Sequence, residues 1–89
     1  MIEMRRWNVE VFIGEQDGQT HAEARFIPET TTTLTGHGLA RLRPQDYDVP
    51  EIGAELATAR ALSDLAHQLL EAAASDIEGA TNTPTRLQA

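Results

Sequence analysis

His21, His37 and His67 are the only imidazoles in this chain of 89 residues, so proton transfer or metal binding would have to begin with them. None stands at a zinc-site spacing from another His, Asp or Glu, and no metal or cofactor is expected. Asp64 and His67 are three apart and share a face of any helix, a spacing at which a carboxylate orients an imidazole. Ser63 completes a nominal triad on paper. Adjacent helical residues point about 100° apart, however, so Ser63 leaves the line of that pair and catalysis is not expected. Gly36-His37-Gly38 has the glycines of a phosphate loop without the helix N-terminus and basic residue that follow in one, and packing is its expected role. Glu51 and Glu55, one turn apart, suit the positive end of a helix dipole better than a cation. The absence of cysteine excludes thiol catalysis, thiolate metal sites and disulfides. The chain is expected not to be an enzyme.

The arginines are the better candidates. Fourteen acidic residues face seven basic ones, all of them arginine, for a net charge of −7. Guanidinium is the group suited to bidentate contact with carboxylate or phosphate, although GC-rich coding also yields arginine in place of lysine. Residues 1–43 hold six acids and five arginines, and residues 44–89 hold eight acids and two arginines. The C-terminal half therefore repels nucleic acid at long range. In the first half, Arg6, Arg25, Arg41 and Arg43 fall on one expected sheet face with His21, His37 and Phe12, a set able to touch RNA backbone and stack on bases. Glu10 and Glu23 on the same face offer the other reading, a scaffold of cross-strand ion pairs. These four arginines are the candidate contacts for RNA or for a partner. Arg60, mid-helix, reads as an ion-pair or interface arginine.

The elements that must position these groups are legible as periods. Alternation from Trp7 to Ile13 predicts a half-buried strand, and Asp17-Gly18 a hairpin turn. A second strand is expected over about Thr20 to Ile27, ended by Pro28, and a third over about Thr32 to Leu42. Gly36 and Gly38 clear one patch of the third strand for the close approach of another backbone. Pro50 suits a first helical position, and Ile52, Leu56, Ala59, Leu62, Leu65 or Ala66, Leu69 and Ala73 form one apolar stripe. The helix is expected from Pro50 to roughly Ser75, with Gly79 as a left-handed cap. The prediction is an α+β fold of order β-β-β-α: a three-stranded antiparallel meander with one long C-terminal helix on one face. Residues 1–80 form the single domain and 81–89 a weakly ordered tail.

A chain this short buries only about 60% of its unfolded surface. A helix of about 37 Å overhangs strands of roughly 30 Å, and a meander has two open edges. Phe12, Ile27 and Leu39 add apolar residues to the outer face. Together these predict a homodimer. No apolar run reaches the length of a membrane span and the N-terminus lacks a signal-peptide core, so a soluble, cytoplasmic protein without membrane contact or small-molecule substrate is expected.

The pattern Gly-x-Gly-Leu-Ala-Arg-Leu over 36–42, Pro44, Asp46, Val49, Glu51-Ile52-Gly53, Glu55-Leu56, Ala59 to Leu65 and Asp76-Ile77-Glu78 resembles a family of small actinobacterial proteins. Trp7-x-Val-x-Val and Thr20-x-Ala-x-Ala-Arg25 fit it too, so the resemblance covers about Trp7 to Pro84. The family is a domain of unknown function with dormancy-associated mycobacterial members. Its dimeric fold is similar to that of ribosome hibernation promoting factors and, more loosely, of double-stranded-RNA-binding domains. The resemblance implies a small dimer that associates with the ribosome or its rRNA under stress, with no assigned catalytic residue. The alternative is a protein-interaction module with an acidic helix and no nucleic-acid binding.

Overall fold

In the computed structural model, residues 2–28, 33–41, 50–82 and 84–87 are described. Three strands precede one helix: β1 (Val9–Gln16), β2 (Gln19–Phe26), β3 (Leu34–Arg41) and α1 (Pro50–Thr81). The strands form an antiparallel sheet in the order β1-β2-β3, so the expected β-β-β-α fold is the one observed. Asp17 and Gly18 both adopt positive φ, 52° and 74°, giving the tight turn whose twist matches the flanking strands. That turn fixes the register, with Gln16 opposite Gln19 and Val11 opposite Ala24. On the other side Ala22 faces Gly38 and Ala24 faces Gly36.

The glycine patch does admit the helix. A Cβ at Gly36 would fall on the Ala61 carbonyl oxygen, and one at Gly38 on the Ala57 carbonyl oxygen and the Ala61 amide nitrogen. Helix and strand therefore touch backbone to backbone. The rest of the sheet face under α1 is also small, with Ala22, Ala24 and Ala40 buried and Phe26 closing one end.

Which helical face lies there corrects the sequence reading. The buried residues of α1 are Ala57, Ala61 and Leu65, while Ile52, Leu56 and Leu62 are exposed. A sheet surface of glycine and alanine is nearly flat, and a helix comes closest to it through its own small side chains. A face of leucines would hold the two backbones apart and forfeit contacts between them. Of the apolar stripe read from the sequence, Leu65 is buried and Leu69 packs on the core, whereas Ile52, Leu56, Ala59, Leu62 and Ala73 are turned to solvent.

The helix is also longer than expected, 32 residues or about 48 Å against about 26 Å for an eight-residue strand. It leaves the sheet after Leu69. Gly79 lies inside it, and Asn82, at φ 57°, supplies the left-handed cap and donates its N–H to the Glu78 carbonyl at 2.6 Å. Asn tolerates that conformation, so glycine was not required. The chain then turns back: the Thr85 N–H donates to Glu78 Oε1 at 2.9 Å, and Arg86 and Leu87 line a shallow cleft with His67, Leu70 and Ala74. At their ends, β1 starts two residues later and runs three further than Trp7–Ile13, and β2 and β3 close at Phe26 and Arg41. The expected third-strand residues Thr32 and Leu42 lie outside the described residues.

Candidate interaction surfaces

The outer sheet face carries Glu10, Phe12, His21, Glu23, Arg25, His37, Leu39 and Arg41, as the register requires. Its arginines are engaged. Arg25 Nη2 donates to Glu23 Oε2 at 2.8 Å, with Nε at 3.2 Å, and the guanidinium carbon sits 4.3 Å from the centre of the Phe12 ring. That hydrogen bond, with the positive charge of Arg25, holds the exposed Glu23 carboxyl below its ordinary value against the opposing effect of desolvation. With its amide oriented oxygen-first, Gln19 accepts from Arg41 Nε at 3.2 Å and Nη2 at 2.8 Å. Arg6 precedes β1 rather than standing on a strand, and Arg43 lies outside the described residues. The structure thus brings Arg25 and Arg41 to one face, as expected, among carboxylates and amides. His21 faces Leu39 and His37 faces Glu23, so the two histidines are not a pair. Among the described residues no three His, Asp or Glu side chains could hold a metal ion.

The nominal triad separates in space. Asp64 turns to the sheet, where its Oδ2 accepts the His37 backbone N–H at 2.8 Å. His67 Nδ1 contacts the Ser63 carbonyl oxygen at 2.9 Å. Asp64 instead belongs to a row one turn apart on α1. Arg60 Nη1 donates to the Leu39 carbonyl at 2.6 Å, and Gln68 Nε2 to the Thr35 carbonyl at 2.7 Å. Thr35, His37 and Leu39 are the β3 residues whose backbone groups point away from β2, because their neighbours Gly36, Gly38 and Ala40 form the bonded pairs. The row therefore closes one open edge of the sheet. Sequence reasoning missed it; the signal was the i, i+4, i+8 spacing of Arg60, Asp64 and Gln68 beside a glycine-bearing strand.

Among the described residues, two surfaces are largely uncovered, apart from Leu70, which the returning Arg86 and Leu87 flank. One is the outward face of α1, where Ile52, Leu56, Ala59, Ser63, Ala66, Leu70, Ala73 and Ile77 recur at alternating steps of four and three. That is the period of a coiled-coil seam. The other is β1, whose Val9, Val11 and Ile13 lie on the helix side of the sheet but beyond the reach of α1, and stay 38–50% exposed. Trp7 packs on Phe26 at one end, ring centres 5.0 Å apart.

A model of the Rv2632c-like family matches residues 5–86. The chain belongs to the Rv2632c-like family. It is 48% identical over 84 residues to the uncharacterized protein Mb1767 of Mycobacterium bovis, covering 94% of this chain and 88% of the relative. To the uncharacterized protein Rv2632c of Mycobacterium tuberculosis it is 50% identical over 76 residues, 85% of this chain and 81% of that one. The crystal structure of Rv2632c superposes with a TM-score of 0.84 at 46% identity, covering 93% of this chain and 98% of that chain. The expected membership among small actinobacterial proteins of unknown function therefore holds, with mycobacterial relatives on both counts. No helix among the described residues is long and apolar enough to cross a membrane.

Proposed function

We propose that this is a non-enzymatic protein-interaction module that works as a homodimer, joined along the outward face of α1. The observation that carries the reading is where the apolar mass lies. Five of the seven buried apolar residues are alanines, whereas fourteen large apolar side chains of the described residues are exposed. A self-sufficient domain has the opposite balance, and contiguous exposed apolar surface marks an association site.

The stripe also fits its own reverse. In an antiparallel pair of α1 helices, Ile52 meets Ile77 of the partner subunit, Leu56 meets Ala73 of the partner subunit, and Ala59 meets Leu70 of the partner subunit. In two of these three pairs a leucine faces an alanine, and the isoleucines meet at the ends, as in a packed helical seam. Glu55 comes beside Asp76 of the partner subunit, a like-charge contact that salt screens.

Ribosome association, the role implied by the likeness to hibernation factors, draws less support from this surface. Arg25 and Arg41 are occupied, the helix is acidic, and net charge is −7. The two readings respond to salt with opposite sign. Light scattering and sedimentation at micromolar concentration should give a mass near twice 9.8 kDa, tightening with salt and becoming monomeric on Leu56→Glu. A wild-type monomer under these conditions would sink the dimer. Co-sedimentation with ribosomes that weakens with salt and with Arg41→Glu would favour the RNA reading instead.

A further inference from the structure

The sheet treats its two edges differently. On β3 the outward backbone groups of Thr35, His37 and Leu39 are met by Gln68, Asp64 and Arg60. On β1 the tight turn makes Gln16–Gln19, Gly14–His21, Phe12–Glu23 and Glu10–Arg25 the bonded pairs with β2. The N–H and C=O groups of Val9, Val11 and Ile13 therefore point away from the sheet, and no hydrogen bond among the described residues reaches them. β1 also lacks the proline, lysine or bulge with which proteins blunt an open edge.

The order of residues along this edge is its own complement. Arg5 and Arg6 precede β1, Val9, Val11 and Ile13 fill its middle on one face, and Glu15 and Asp17 stand at its far end. All four charged residues are exposed. An antiparallel pairing centred on Val11 sets Val11 against Val11 of the partner subunit and Val9 against Ile13 of the partner subunit. At each end Trp7 meets Glu15 of the partner subunit and Arg5 meets Asp17 of the partner subunit, with Arg6 between them. On the outer face Glu10 comes opposite Phe12 of the partner subunit, the position whose ring holds the Arg25 guanidinium carbon at 4.3 Å. Within its own chain Glu10 stands across from Arg25, but Arg25 bonds Glu23 instead, so Glu10 gains a cation across the new contact. Sliding the pair by two residues sets Glu10 against Glu10 of the partner subunit in one direction and Val9 against Glu15 of the partner subunit in the other. Sliding by one turns the valines to the wrong face.

We infer that β1 pairs antiparallel with β1 of a second copy about Val11, and that this contact joins two α1 dimers into a closed tetramer. A foreign strand would need the same order, basic then apolar then acidic, to match both ends, and the chain supplies it itself. Closure follows from where the two dyads lie. The dyad of an antiparallel strand pair stands perpendicular to the sheet, whereas that of two helices joined on the side away from the sheet lies parallel to it. Both pass at one level of the molecule. Val11 is opposite Ala24, Ala24 is opposite Gly36, and Gly36 lies against Ala61 and Leu65, beside the centre of a seam in which Ile52 meets Ile77 of the partner subunit. Perpendicular dyads at one level close four copies, and at different levels they would run on as a filament. An edge of eight residues buries less than the roughly 1,200 Å² of stable complexes, so one β1 contact alone forms only at high concentration. In the tetramer two such contacts close together, the second of them intramolecular. The β1 contact stands on its own surface, and the tetramer rests also on the α1 dimer.

Sedimentation and light scattering from about 10 μM to about 1 mM test it. The mass should rise from twice to four times 9.8 kDa, with exchange of the Val9, Val11 and Ile13 amides slowing in step. Arg5→Glu with Arg6→Glu puts like charges at both ends, and so does Glu15→Arg with Gln16→Arg; each pair should raise the midpoint concentration about tenfold. These positions are exposed and outside the core. An equimolar mixture of the two variants should recover the wild-type midpoint, because basic then meets acidic at both ends. The Leu56→Glu chain should pair through β1 alone near the top of the range, with the same response to the charge variants. A wild-type mass that does not rise across the range overturns the inference, as does a rise that leaves these amides unprotected or a mixture that does not recover. Failure of the α1 dimer looks different: the wild type is then monomeric at the low end and still doubles through β1, which retires the tetramer and keeps the strand contact.

Discussion

Gly38→Ala adds one methyl carbon at the closest point between helix and sheet. It would land on the Ala57 carbonyl oxygen and the Ala61 amide nitrogen, with the Arg60 carbonyl carbon 3.0 Å away. All are backbone atoms, so no rotamer change relieves the overlap, and α1 must rise by about 1 Å to restore van der Waals distance. The edge row rises with it. Arg60, Asp64 and Gln68 now bond β3 at 2.6, 2.8 and 2.7 Å, and a lift of that size takes them to the limit of hydrogen-bond reach. Overpacking costs about 1–3 kcal/mol and each of the three weakened bonds about 0.5–1.5 kcal/mol, so a total of about 3–7 kcal/mol is expected. A domain of this length has only about 4–13 kcal/mol to lose. Urea unfolding at fixed protein concentration is the assay, and 3 kcal/mol also corresponds to a Tm lower by about 12–24 °C. Gly14→Ala is the control, since a Cβ there meets nothing within 4 Å, and it should be neutral or stabilising by up to about 1 kcal/mol. Gly38→Ala unfolding within about 0.5 kcal/mol of wild type would refute the backbone-to-backbone packing.

Asp64→Ala leaves the His37 N–H to water and opens the middle of the β3 edge; a loss of about 1 kcal/mol, faster exchange of that one amide and a greater tendency to aggregate are expected, read by hydrogen exchange and light scattering. Glu23 should titrate below its ordinary 4.5 in a carboxyl NMR titration. A carboxyl depressed in the folded state contributes stability that is present above 4.5 and is lost as pH falls through the folded value, so its effect is confined to acid solution. Arg25→Gln should return the titration to the ordinary value, and no change on that substitution would show that another group sets it.

The elements themselves were legible because each is announced locally. Alternation gives the strands, Asp17-Gly18 the turn and Pro50 the helix start, and the two glycines of β3 announce a close approach without naming what approaches. The arginine face was legible as a set of positions, since strand parity places Arg25 and Arg41 together. Its occupancy was not, because whether Arg25 reaches Glu23 and Phe12 depends on side-chain geometry that parity leaves open. The most misleading signal was the strongest one. Ile52, Leu56, Ala59 and Leu62 of the apolar stripe are exposed, and the sheet takes the side of α1 bearing Ala57 and Ala61, with Leu65 the one member of that stripe buried there.

By itself, the sequence determined the β-β-β-α order, the antiparallel register through its tight turn, the family, and the absence of any local motif for metal or thiol chemistry. Only the tertiary structure decided which face of α1 is buried, which edge of the sheet is closed, and which apolar residues stay exposed. The physical reason is that periodicity reports that a face is apolar, whereas docking depends on shape. A flat sheet of glycine and alanine selects the flattest face of the helix, and the bulkier face is left outside.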